Sequence, residues 1–189
     1  MNYDGNNLLD AGLIRRLTQR QCLQMRVDLT EAELFVCRML GVMRRSEAMH
    51  KVRDQQVGKD DTWSIDIDGV VAEYCVAKVM NLCPDLTVSV RSGGADLITQ
   101  KGKTVDVKST RHLKGRLLAT LKKADDPCDM YVLVVVDNFG GDVIGWATKS
   151  QLFNEENKQD LGHGVGYAMS QDSLQTFTNK GLLWTTVNY

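Results

Sequence analysis

Proline is almost missing from this chain, with two residues in 189, and no low-complexity run or internal repeat interrupts it. A linker is therefore excluded, and one domain of ordinary size is expected over residues 1–189. Long apolar runs are missing as well. The first ten residues are polar, and no stretch suits a signal peptide or a membrane span, so the expectation is a cytoplasmic protein with no membrane partner. Histidine is scarce and scattered at His50, His112 and His163, which argues against an imidazole-based metal site. The five cysteines, Cys22, Cys37, Cys75, Cys83 and Cys128, are odd in number and show no C-x-x-C spacing. Both a disulfide framework and a structural zinc are thereby disfavoured, leaving reduced core thiols. A formal net charge of −1 rules out the overall basicity of a non-specific DNA coat.

Charge is present locally instead. From Lys101 to Lys123 run eight basic side chains, Lys101, Lys103, Lys108, Arg111, Lys114, Arg116, Lys122 and Lys123, against the single carboxylate of Asp106. Within and just before this stretch, Ala95 and Leu97 alternate with Asp96 and Ile98, and Val105 and Val107 with Asp106 and Lys108, which reads as two strands of a hairpin. A three-residue loop Gln100-Lys101-Gly102, with Gly102 in the left-handed region, sets Asp96 opposite Asp106. A two-residue loop would put Asp96 across from Val107 and mix charge into the core. In the three-residue register the two carboxylates lie roughly 5 Å apart at Cβ. Two like charges at about 4 Å repel by something like 4 kcal/mol at an effective dielectric of about 20. Lys108 on the same face offsets part of this, and a divalent cation between the carboxylates would offset the rest.

Two helices are expected upstream. Thr30-x-x-Glu33 is a capping box opening a helix to about Arg53, with Ala32, Leu34, Phe35, Cys37, Leu40 and Met43 as its apolar stripe. Its Arg44, Arg45, Lys51 and Arg53 read as a solvated face more readily than as the flank of a nucleic-acid surface. The second helix runs from Asp68, as its cap, to Leu82 before Pro84. It is apolar nearly all round, so Glu73 is at least partly buried and needs a partner. That partner is either the helix macrodipole or the metal that Asp96 and Asp106 would share.

Glu73 on a helix, Asp96 on a strand and Asp106-x-Lys108 on the next strand resemble the motif of the PD-(D/E)XK nuclease superfamily, with Ala95 where the motif has proline. The resemblance extends to the run from Asp129 to Val136, as a core strand, and to Asp142-Val-Ile-Gly-Trp-Ala-Thr-Lys-Ser-Gln-Leu, as the strand and helix that follow in phage and prophage members. It implies a mixed α/β fold with a restriction-endonuclease-like core, a central mixed sheet flanked by helices. Residues 1–60 would be an N-terminal helical segment, 61–152 the catalytic core, and 153–189 a helix and strand completing it.

The activity implied is hydrolysis of DNA by an endonuclease. Mg²⁺, with Mn²⁺ able to replace it, would be held by Asp96, Asp106, the Val107 carbonyl and Glu73. Lys108 would orient the attacking water and stabilise the transition state, and the 3′ oxygen would leave. On this reading Asp106→Asn or Lys108→Ala abolishes cleavage with folding nearly unchanged. Beside the metal site Lys103, Arg111, Lys114 and Arg116 would contact phosphates. His112 could join them or carry a proton, though a lone histidine in a polar loop is more often neither. Two alternatives remain, a junction-resolving nuclease acting as a homodimer and a nucleic-acid-binding or phage assembly protein without cleavage. If phage-encoded, the protein would act in the host cytoplasm.

Elsewhere, Leu8, Leu9, Leu13, Ile14 and Leu17 fall at helical spacing, suited to packing or to a partner subunit. Gly162-His-Gly-Val-Gly166 is a loop that lacks the G-K-[ST] ending of a phosphate-binding loop. A helix from Ser170 to about Thr178 and a strand at Leu182 to Val187 are expected to follow. Trp146 and Trp184 could stack on bases, although strand aromatics usually pack in cores.

Overall fold

A computed structural model describes residues 25–50, 62–89, 94–162 and 164–177. The expected stripe before residue 20, the strand at 182–187, Lys51, Arg53, His163 and Trp184 lie outside these residues, as does the side chain of His50.

The first strand, β1 (Met25–Asp28), leads into helix α1 (Glu31–His50). The capping box closes as its spacing demands. Thr30 N–H donates to Glu33 Oε2 at 2.7 Å and Glu33 N–H to Thr30 Oγ1 at 3.3 Å, so the helix start has partners for two otherwise orphaned donors. Helix α2 (Thr62–Met80) begins six residues before the expected cap, so Asp68 lies inside it and caps nothing. Its end is set by Asn81, which takes the left-handed conformation (φ 50°) while Leu82 N–H reaches Ala77 O at 2.8 Å and Asn81 N–H reaches Lys78 O at 3.2 Å. That is a Schellman end, and Pro84 plays no part in it.

A five-stranded sheet follows, in the order β1-β6-β5-β3-β2, built from β2 (Leu97–Ile98), β3 (Thr104–Thr110), β5 (Met130–Val136) and β6 (Gly140–Thr148) together with β1. Only β3 and β5 run parallel. Their crossover contains β4 (Leu117–Thr120) and a 3₁₀ turn at Leu121–Ala124, with no α-helix. A smaller antiparallel sheet, β4-β8-β7, adds β7 (Lys158–Asp160) and β8 (Val165–Met169). Short helix α3 (Lys149–Leu152) follows β6, as the sequence suggests.

Strand β5 shows why two cores form. Its unbroken apolar run is buried on both faces, the pattern of a strand covered on each side. Val132, Val134 and Val136 join the core under α1 and α2, whereas Tyr131, Leu133 and Val135 join a second core with Leu117, Leu152 and Tyr167. The fold is thus mixed α/β, but long helices cover one face alone, and the small sheet with α3 covers the other. The expected helix after Ser170 is a single 3₁₀ turn, Gln171–Ser173, because the chain then extends so that Gln175 bridges to Trp146 on β6. Among the described residues no helix is long and apolar enough to cross a membrane.

Helices α1 and α2 meet at Gly41, where a Cβ would stand 2.8 Å from Ile67 Cα and 2.9 Å from its nitrogen. Backbone cannot swing aside as a side chain can. Gly41→Val is therefore expected to destabilise the protein by about 2–3 kcal/mol through overpacking. In urea titration the midpoint should fall with an unchanged slope.

Candidate active site

The hairpin of β2 and β3 has the register its residues dictate. Leu97 pairs with Val105 and Ile98 with Thr104. Thr99 N–H donates to Lys103 O and Gly102 N–H to Thr99 O, both at 2.8 Å, and Gly102 has φ 76°, so the loop is Gln100-Lys101-Gly102. Just before β2, Asp96 N–H donates to Val105 O at 2.9 Å while its Oδ2 accepts the Val107 N–H at 2.7 Å. Asp96 thereby grips the backbone next to Asp106. It is the N–H of Val107, not its carbonyl, that the structure sets against this carboxylate.

Asp106 and Lys108 point away from the helices. Their neighbours Val105 and Val107 belong to the helix-side core, and the residues paired with them across β5, Tyr131 and Leu133, belong to the second core. Asp106 is buried, with a side chain only 6 % exposed. The Lys108 ammonium stands against its Oδ1, and Lys123 Nζ lies 3.1 Å from its Oδ2 and 3.1 Å from Asp126 Oδ2. Despite the Lys108 contact, Asp106 Oδ1 accepts no well-aligned hydrogen bond. Burial opposes the charge of Lys123, but Asp106 and then Asp126 outweigh it and raise its pKa above the ordinary 10.5. Lys123 had no spacing signal of its own; membership of the basic stretch was the sole hint.

Glu73 takes a different partner from the one a metal site requires. Arg44 Nη1 donates to both its carboxylate oxygens, at 3.0 and 2.9 Å. The same guanidinium donates to Asp85 O at 2.9 Å and to Thr87 O at 3.1 Å. Arg44 is therefore no solvated surface charge. Among the described residues no three His, Cys, Asp or Glu side chains gather as a metal-holding group. The structure sets Lys108 against Asp106 and ties Asp96 to the adjacent Val107 N–H, while Glu73 pairs with Arg44.

The basic stretch is exposed and partly neutralised. Arg111 forms a bidentate pair with Asp68 on α2, at 2.6 and 2.7 Å, which raises its pKa and explains the buried Asp68. Lys103 pairs with Asp129 at 2.7 Å, a contact that, with hydrogen bonds from Thr104, pulls the Asp129 carboxyl down to about 2. Arg116 donates to Gln159 at 2.6 Å. Lys114 and His112 are exposed at the turn before β4. At the nearby end of the sheet, Lys103, Cys128, Asp129, Trp146, Lys149 and Phe153 border a cleft of about 850 Å³. Cys37 and Cys75 are core thiols, raised by burial to about 11 and about 12, but Cys83 is exposed, contrary to the expectation for all five.

A protein-family model described as "Family of unknown function (DUF5843)" matches residues 19–152, which include α1, α2, the hairpin and Lys123. No curated protein matches the sequence.

Proposed function

Since the chain belongs to DUF5843, a family of unknown function, we propose on the strength of its own residues that it is a metal-dependent deoxyribonuclease centred on Asp96, Asp106 and Lys108. The observation that carries this reading is the Asp106 carboxylate, nearly buried on β3, with the Lys108 ammonium against its Oδ1 and one residue from the N–H held by Asp96. The donor set fits the ion. Mg²⁺ is commonly held by one or two carboxylates, with waters and substrate phosphates completing its shell, so Asp96 and Asp106 suffice and Glu73 is not required. When bound, the ion would make a water more acidic and offset charge on the phosphate oxygens.

The remaining work falls to the protein's own cations. Lys108, about one third exposed, can turn from Asp106 toward an attacking water or the developing negative charge at phosphorus. Lys123 stays an ammonium through the neutral range and keeps Asp106 from facing the substrate as an unscreened anion. Lys103, Arg111, His112, Lys114 and Arg116, all exposed, would contact the nucleic-acid backbone, three of them partly held in reserve by their present partners. The proposed place of action is the cytoplasm, and a phage-encoded protein would act in its host. A second reading, a nucleic-acid-binding or phage assembly protein without cleavage, is favoured by the Lys108–Asp106–Lys123 cluster, in which two ammonium groups already balance the carboxylate.

Supercoiled plasmid, linear duplex, single strand and four-way junction, each with Mg²⁺, Mn²⁺ or EDTA, separate the two readings. Metal-dependent cutting is expected, reduced by about 100-fold or more in Lys108→Ala and Asp96→Asn. Binding without cutting in every condition supports the second reading, and cutting undiminished in both variants rules out this site.

A further inference from the structure

Helix α1 has two apolar sides, and among the described residues the fold covers one. Leu34, Cys37, Leu40 and Gly41 turn inward, toward α2 and the core. On the other side Phe35, Val36, Met39, Val42, Met43 and Met49 are 37 to 64 % exposed. Single exposed apolar residues are ordinary, but a contiguous group of six is not. These side chains leave on the order of 500 Å² of apolar surface open, near the top of the range for the largest patch on a monomer.

The spacing indicates the shape of what covers this face. Phe35, Met39, Val42, Ser46 and Met49 repeat at alternating intervals of four and three residues, the seam of a helix that packs lengthwise on another helix. No charged side chain occupies the seam, so a partner chosen by charge is not indicated. From Phe35 to Met49 the seam is about 21 Å long.

We propose that this face of α1 pairs with the same face of a second copy of the chain, the helices running antiparallel about a twofold axis near Val42. In that register Phe35 of each copy meets the partner's Met49, large apolar groups close both ends of the seam, and the helix dipoles oppose favourably. Two copies together bury roughly 1,000 Å² of apolar surface, which polar rim residues extend into the range of a specific interface. Asp106 and Lys108 face away from the helices, so pairing leaves the hairpin open in both copies. The proposal rests on α1 alone and stands whether or not the hairpin cuts DNA.

Sedimentation equilibrium of the full chain over about 1–100 µM tests it. The expected result is twice the 21.1 kDa monomer mass, with Met39→Glu and Val42→Glu sedimenting as monomers and keeping the parent circular dichroism. Should a glutamate variant fail to fold, Val42→Cys supplies the readout, since two copies related by an axis near residue 42 then cross-link under mild oxidation beyond the wild-type background. A chain that is monomeric throughout the range overturns the proposal, as does dimerisation that persists in both folded glutamate variants. Dimerisation seen only after deletion of residues 1–20 also overturns it, assigning the face to the chain's own beginning.

Discussion

Glu73→Ala is expected to destabilise the protein by about 3–5 kcal/mol, because it leaves the Arg44 guanidinium without its carboxylate. The side chains of the pair are 17 % and 12 % exposed, so water cannot fully replace the lost partner. For a chain of this size that corresponds to a melting temperature lower by about 10 °C. Arg44→Ala should cost a similar amount, since it removes the guanidinium that both Glu73 oxygens accept from and also frees the carbonyls of Asp85 and Thr87 that Arg44 ties down after α2. Replacing both partners by leucine should recover much of the loss, since a buried ion pair is weakly stabilising relative to packed apolar groups. Thermal unfolding in EDTA measures all three. If Glu73→Gln leaves the melting temperature unchanged yet removes metal-dependent activity, Glu73 is a ligand and its pairing with Arg44 is incidental.

The second large effect is expected at Asp106. Lys108→Met with Lys123→Met leaves a nearly buried carboxylate without a cation, at a cost of about 3–5 kcal/mol. Each single replacement should cost distinctly less, because the other lysine remains, and the difference is the coupling that a double-mutant cycle reads. Adding Asp106→Asn to the double variant should restore most of the stability by removing the stranded charge. Asp106→Asn alone should be mild, since both ammonium groups are about one third exposed and can turn to water. It remains the clean variant for testing catalysis, whereas the two lysines must be replaced one at a time. The pH dependence has a definite sign. The pKa of Lys123 is raised in the folded state, so its contribution is complete below the ordinary 10.5 and fades as pH rises through the higher folded value. Neutral solution therefore retains it in full, and Lys123→Met should flatten only the alkaline limb of the stability curve.

How legible the site was depends on the range of the interaction concerned. The hairpin register could be read because strand alternation has a period of two and Gly102 marks the left-handed loop position; a two-residue loop would have set Asp96 across from Val107. The start of α1 could be read because a capping box is local to four residues. An aspartate before an apolar run, such as Asp68, suits a helix start as well as an ion pair, and only Arg111, 43 residues on, decides between them. For the end of α2 the nearer signal is Asn81, able to take a positive φ, rather than Pro84.

The sequence by itself determined the apolar helix α2, the hairpin and the placing of Asp106 and Lys108 on one side of β3. Each of these follows from periodicity or from contacts between near neighbours along the chain. Tertiary structure alone decided that Glu73 answers to Arg44, that Lys123 joins Lys108 at Asp106, that a second sheet covers the face where helices were expected, and that no described residue covers one side of α1. A carboxylate in a low-dielectric interior takes whichever cation the fold brings within about 4 Å, and that choice depends on how distant segments pack rather than on their spacing in the chain.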